Sequence, residues 1–247
     1  MIPIKSSKGI ELMKEGGFIA AIALKKVIEN IHSGIKLVEL DQIADSFIEQ
    51  SGAEASFKTV EGYSYATCIN INEGIVHGLP SNYEVKKGDI VSVDLGVLFK
   101  GFHTDLSYTL EVESDRESGF LEAGKKALEK AISKCVGGNR IGDVSVAIQE
   151  TIEKAGYNVS RELVGHGVGE DLHEDPFIPG YGRKGEGPVL AEGMVFAIEV
   201  IYQKGEHDIT IDEDGWTIKT ADGSLSALFE HTVAITAGGP LVLTKLP

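Results

Sequence analysis

Cysteine is scarce in this chain: only Cys68 and Cys135 occur among 247 residues. Two thiols cannot form a disulfide framework, and the count suits a reducing compartment. Basic residues are also outnumbered, with 23 Lys and Arg against 38 Asp and Glu and a formal net charge of -15. Nucleic-acid binders and proteins of anionic membrane surfaces need basic patches, so neither class is expected. No apolar run approaches the ~18 residues of a membrane span. The opening residues, MIPIKSSKGIELMKEGG, lack the apolar core of a signal peptide. No Pro/Gly/Ser-rich linker or low-complexity tract divides the chain. The expectation is a soluble, cytoplasmic protein, and its hydrophobic content of 42% supports a sizeable core.

What the chain does contain is acid in apolar places. Asp94, Asp105, Glu199 and Glu230 sit inside VSVDLGV, FHTDLSYTL, VFAIEVI and ALFEHTVAI. Charged carboxylates are rarely buried unless they are paired or hold a metal. Four of them on buried strands call for a common cation. His166 lies in GHGVG, between glycines that let the backbone approach a ligand closely. His173 follows in HEDP, and His77 lies in NEGIVHGLP, a Gly/Pro-bounded loop. His32, His103, His207 and His231 are read as surface or supporting residues.

One imidazole with four carboxylates is an oxygen-rich donor set. It suits Mn, Fe, Co or Zn better than a structural zinc site, which prefers thiolates. Four carboxylates also supply enough oxygens to bridge two ions about 3.5–4 Å apart. Such a pair can hold a hydroxide at neutral pH, polarise a carbonyl and anchor a free amine. Those are the requirements for cutting a peptide bond at an N-terminus.

The chain also repeats itself. Helical spacing over roughly 9–31 and 38–51 precedes strand-like TCINI, DIVSVDLGVLF and GFHTDLSYTLEV. Helical spacing over roughly 117–135 and 143–155 precedes GMVFAIEVIY, WTIKT and LSALFEHTVAIT. A shift of 104 residues lays Gly34 on Gly138 and Gly52 on Gly156, and a shift of 105 lays Asp94 on Glu199. HGLP and HEDP match at a shift of 96. This predicts one α+β domain of two similar halves, about 9–112 and 117–237, with antiparallel strands in the middle and helices outside. If VSVDLGVLF and GFHTDLSYTL form a hairpin about Lys100-Gly101, Asp94 and Asp105 stand nearly opposite each other.

The order Asp, Asp, His, Glu, Glu, with HGLP before it and GHGVG and HEDP within it, resembles the methionine aminopeptidases of the pita-bread fold. NINEGIVHGLP, KGDIVSVDLGV, GFHTDLSYT, GHGVG, DGWTIKT and SLSALFEHT carry the resemblance across essentially the whole chain. The chain is similar to the short, bacterial type I form. The resemblance implies metal-dependent removal of the initiator methionine, preferentially before a small second residue, by hydroxide held between two divalent ions (Co, Mn, Fe, Zn or Ni). It implies Asp94 on one ion, His166 and Glu199 on the other, and Asp105 and Glu230 bridging both. Glu199 would also shuttle the proton. His77 and His173 would contact substrate and stabilise the tetrahedral intermediate. Cys68, Tyr63, Tyr65 and Trp216 would form the pocket for the thioether.

Implied partners are N-terminal Met peptides and nascent chains, with the ribosome as a further candidate and the protein a monomer. Val200 stands where the family commonly has proline, and Leu172 where it often has an aromatic residue. An Xaa-Pro aminopeptidase or dipeptidase on the same fold is the alternative, since GHGVG and HEDP are shared with those enzymes. A non-catalytic binding protein is disfavoured, because pseudoenzymes of the fold lose ligands that are all present here.

Overall fold

Leu37, Leu40, Ala44 and Ile48 bury one face of a helix, and Ile141, Val144, Ile148 and Ile152 bury the equivalent face of another. In the computed structural model, which describes residues 1–245, these are α2 (Leu37–Gln50) and α4 (Ile141–Lys154). Each is preceded by a longer partner, α1 (Ser7–Asn30) and α3 (Ser118–Lys134). All four bounds lie within two residues of those expected from spacing. Local chemistry sets the ends. The Glu39 carboxylate accepts the Lys36 N–H at 2.9 Å, and Asp143 accepts the Arg140 N–H at 2.8 Å. Gly52 and Gly156, at φ +72° and +88°, take the left-handed turn that closes α2 and α4.

The strands are β1 (Glu54–Ala55), β2 (Thr67–Ile71), β3 (Gly74–Val76), β4 (Ile90–Phe99), β5 (Phe102–Glu111), β6 (Asn158–Val159) and β7 (Val164–Gly167). They continue as β8 (Glu174–Pro179), β9 (Val195–Gln203), β10 (Ile209–Ile211), β11 (Ile218–Thr220), β12 (Ser226–Thr236) and β13 (Gly239–Val242). A ten-stranded sheet runs β1-β4-β5-β12-β9-β7-β8, with β2 added on β4, β6 on β9 and β13 on β12. A small sheet, β10-β11-β3, stands beside it. The pairings are antiparallel. Together with four helices among the described residues, this is the expected α+β architecture.

Burial divides the strands by alternation. Val91, Val93, Leu95 and Val97 of β4 join Leu106 of β5 and the apolar faces of α1 and α2 in one cluster. Phe196, Ile198, Val200 and Tyr202 of β9 join Ala227 and Phe229 of β12 and the faces of α3 and α4 in another. The residues between them point the other way. Asp94, Asp105, Glu199 and Glu230 occupy those alternate positions. Side-chain period therefore turns four carboxylates out of four apolar strands toward one common face.

Candidate metal centre

Register decides which acids meet. Asp94 pairs with Ser107, Ser107 with Glu230, and Glu230 directly with Glu199. His166 of β7 pairs with Ala197, two residues from Glu199 on β9. Cross-strand partners share a face, so β4, β5, β12, β9 and β7 each present one group to the same place. Asp94 and Asp105, expected nearly opposite each other, share a face but are offset along the hairpin. Asp105 pairs with Gly96 and stands diagonal to Asp94. The cause is the turn: Lys100 and Gly101 both take positive φ (+49° and +85°), a two-residue hairpin that locks Phe99 against Phe102. Every other pair in the hairpin follows from that one.

Electrostatics set the cluster apart from ordinary strand acids. Asp105 and Glu230 are 4% and 2% exposed. Burial, then Asp105 and Glu199, hold the Asp94 carboxyl well above the usual range. Burial with Asp105 does the same to Glu199, and burial with the three other acids to Glu230. Burial pushes Asp105 up to about 7, against backbone N–H donation from Leu106. Asp94 Oδ1 and Glu230 Oε1 are buried without a hydrogen-bond partner among the described residues. Unpaired buried carboxylate oxygens cost several kcal/mol when charged, so the site is built for something that supplies positive charge. Ligand atoms of Asp105, His166 and Glu230 all lie within 4.8 Å of one another. The donor set and its unmatched oxygens fit divalent cations.

His166 is oriented for that role. Its Nδ1 lies 2.8 Å from the Gly167 carbonyl, so Nδ1 carries the proton and donates. Nε2 is left as a lone pair, 3.4 Å from Glu199 Oε1 and 3.9 Å from Asp105 Oδ2. Burial, then the His173 ring, pulls His166 down to about 4, which keeps it neutral and able to ligate. The flanking glycines are required by packing on both sides. A Cβ on Gly165 would strike the Ala197 carbonyl, and one on Gly167 the Asp175 carbonyl. Thr232, which the sequence reading does not single out, steadies Asp105 from β12. Its hydroxyl accepts the Asp105 N–H and donates to the Asp105 carbonyl, both at 2.8 Å.

A cavity of about 170 Å³ opens over the acids. His77 and His173 line it, with rings of His166 and His173 centred 4.4 Å apart. His77 holds φ +59°, a conformation uncommon outside glycine and concentrated at functional sites. The next residue fixes that turn: the Gly78 N–H donates to Asn70 Oδ1 at 2.9 Å, and a Cβ there would meet the Ile69 carbonyl. Burial lowers the pKa of both histidines below the ordinary range. The far wall is apolar: Phe57, Val60, Tyr63, Cys68, Val76, Leu172 and Trp216. Burial, then Asp94, raises the Cys68 thiol, so it stays a neutral soft surface. Tyr63 is packed edge-on to Phe57 and Trp216 and donates its hydroxyl to the Thr67 carbonyl at 2.8 Å. Tyr65 packs edge-on to Tyr63, 5.8 Å between ring centres, and lies outside this lining. Among the remaining histidines, His103 is buried against Ser56 Oγ at 2.9 Å and His231 meets Thr244 Oγ1 at 3.0 Å.

Known proteins resemble this chain in sequence and fold. The family model for metallopeptidase family M24 matches residues 11–237. The methionine aminopeptidase of Clostridium perfringens is 43% identical over the whole of both chains. Methionine aminopeptidase 1 of Bacillus subtilis is 42% identical, again over the whole of both chains. The crystal structure of methionine aminopeptidase from Thermotoga maritima superposes with a TM-score of 0.96 at 44% identity, covering 99% of this chain and all of that one. The prolidase of Pyrococcus horikoshii is more distant, with a TM-score of 0.80 at 27% identity, and 64% of its length is covered.

Proposed function

Because this chain belongs to metallopeptidase family M24 and matches methionine aminopeptidases from end to end, we propose that it removes the N-terminal methionine from peptides and nascent proteins. It is a metal-dependent exopeptidase with the pita-bread fold. The observation that carries the site assignment is the row of five donors from five adjacent strands, two of whose buried oxygens lack partners among the described residues. Asp94, Asp105, His166, Glu199 and Glu230 would hold the divalent ions, two by this reading. Bound there, such ions supply Lewis acidity toward the first peptide carbonyl and make water a usable nucleophile near neutral pH.

The protein's own groups do the rest. The Phe57, Tyr63, Cys68 and Trp216 wall takes the methionine side chain, burying the thioether against rings and a neutral thiol. His77 and His173, neutral and pre-positioned, donate to the carbonyl oxygen as charge develops on it. Glu199 takes a proton from the attacking water and returns it to the leaving amine nitrogen. The apolar wall limits the water that reaches the reacting bond. The paired helices, with matched caps at Lys36 and Arg140 and matched left-handed glycines, support one catalytic domain of two similar halves. Each half would give two carboxylates to the shared centre. Action in the cytoplasm, as a monomer meeting chains at the ribosome, accords with this reading.

Purified protein supplied with Mn, Co or Fe is expected to cleave Met-Ala-Ser at its first bond and to leave Xaa-Pro peptides largely uncut. Absence of turnover with every divalent metal would refute the proposal. Faster turnover of Xaa-Pro peptides would favour the prolidase-like reading, which more distant structural neighbours support.

A further inference from the structure

Lys5 is a buried lysine. Its side chain is 5% exposed and its ammonium pairs with the carboxylate of Glu174, itself 7% exposed. Glu174 directly follows His173 in the chain. Its second oxygen, Oε1, accepts the backbone N–H groups of Glu170 at 2.9 Å and Asp171 at 3.4 Å. One carboxylate therefore folds the 169–173 segment onto itself and ties it to a residue 169 positions away. The segment's other end is tied too: the Gly169 carbonyl accepts the His103 N–H of β5 at 2.7 Å. Gly169 lies against this pair, so a Cβ there would meet Lys5 Cε and Nζ and the Glu174 carboxylate. Lys5 is anchored in turn. Its N–H donates to the Gly193 carbonyl at 2.7 Å, and the Gly193 N–H to Ile235 of β12 at 2.9 Å.

The segment pinned in this way carries Leu172 and His173, both of which line the cavity. An exposed ion pair would contribute little to holding it. A buried one differs, because removing one partner strands a desolvated charge that the chain must move to rehydrate. Small displacements of a group acting on the reacting bond lower rates by about a hundredfold per ångström.

We infer that Lys5 is a positioning residue: through Glu174 it fixes the 169–173 segment, and with it the His173 imidazole, while touching neither the acid cluster nor the cavity. The inference rests on the reading of His173 as a substrate-side group. The test uses full-length Lys5→Met, Lys5→Arg and Glu174→Gln proteins. Glu174→Gln keeps an oxygen for the two backbone donors while removing the charge pair. Kinetics on Met-Ala-Ser, metal content, melting temperature and histidine ring resonances (13C–1H) are measured on each.

Lys5→Met and Glu174→Gln are expected to lower kcat about tenfold or more, with KM and metal content nearly unchanged. The His173 resonance shifts or broadens in both, with and without added metal, while those of His32 and His207 stay in place. Lys5→Arg recovers most of kcat and the native His173 resonance. A kcat within twofold of the parent in both charge-removing variants overturns the inference. So does a fall in kcat that tracks melting temperature while the His173 resonance is unchanged. If the parent protein does not cleave Met-Ala-Ser, the functional reading fails by itself. The His173 resonance then still decides whether Lys5 positions that ring.

Discussion

A carboxylate set among valines, phenylalanines and leucines binds protons tightly unless a stronger cation arrives, and Asp105 shows the consequence. Held at about 7 by burial, it is largely protonated in the metal-free protein below that pH. Metal must displace that proton, together with those on Asp94, Glu199 and Glu230, which burial and mutual repulsion also raise. Affinity for metal therefore falls as pH drops through about 7 and rises as it climbs. His166, at about 4, is already neutral and adds no competing step above pH 5. Metal affinity is expected to rise by about tenfold or more between roughly pH 6 and 8, with protons released on binding. Calorimetry in buffers of different ionisation enthalpy measures both, and pH-independent affinity would contradict the proposed ligand set.

The residue roles separate by substitution. Asp105→Ala or Glu230→Ala is expected to lose bound metal and activity together. His173→Ala is expected to lower kcat by ~10²–10⁴ with metal content intact. Metal analysis beside kinetics distinguishes them, and release of metal by His173→Ala would reassign that residue as a ligand. The acids and His166 are legible in the sequence because charge inside an apolar run is an anomaly. Phe57, Val60 and Val76 give no such signal, since an apolar residue in apolar company looks like core. Thr232 is equally silent: threonine is an ordinary strand residue until its hydroxyl is seen on the Asp105 backbone.

Among the elements, the shortest strand of the centre is the one with least tolerance. β7 has four residues, and its glycines let it lie against β8 and β9 with no room for a methyl group. Gly165→Ala is expected to force β7 away from the Ala197 carbonyl, carrying His166 out of reach of Glu199. We expect a loss of about 2–4 kcal/mol in urea unfolding and weaker metal binding. Retained metal affinity would mean that β9 yields instead. The helices and long strands were accessible to spacing arguments, because period fixes which residues share a face. Register was not. The positive-φ turn at Lys100-Gly101 sets it for β4 and β5 and makes Asp94 and Asp105 diagonal, while the separate pairing of β9 with β12 makes Glu199 and Glu230 direct partners. Hydrophobic pattern specifies the face of a strand, but the neighbour's offset along it depends on turn geometry.

Across the whole molecule, the seam between β5 and β12 joins the segments that carry α1 and α2 to those that carry α3 and α4. The acid cluster straddles that seam, so a cation there links both sides of the chain. Unfolding is expected as one cooperative transition, and removing metal with a chelator should lower its midpoint by about 5–10 °C. Differential scanning calorimetry checks this, and two separable transitions would show that the seam does not couple the halves. The amino-acid order by itself determined which residues are anomalous, where helices and strands run, and that a cation is needed, because composition, period and the cost of burying charge are local properties. Only the tertiary structure decided which acids face one another, that Tyr65 lies outside the cavity lining, and that Lys5 reaches Glu174. Those facts depend on register and on contacts between distant segments, which no local pattern encodes.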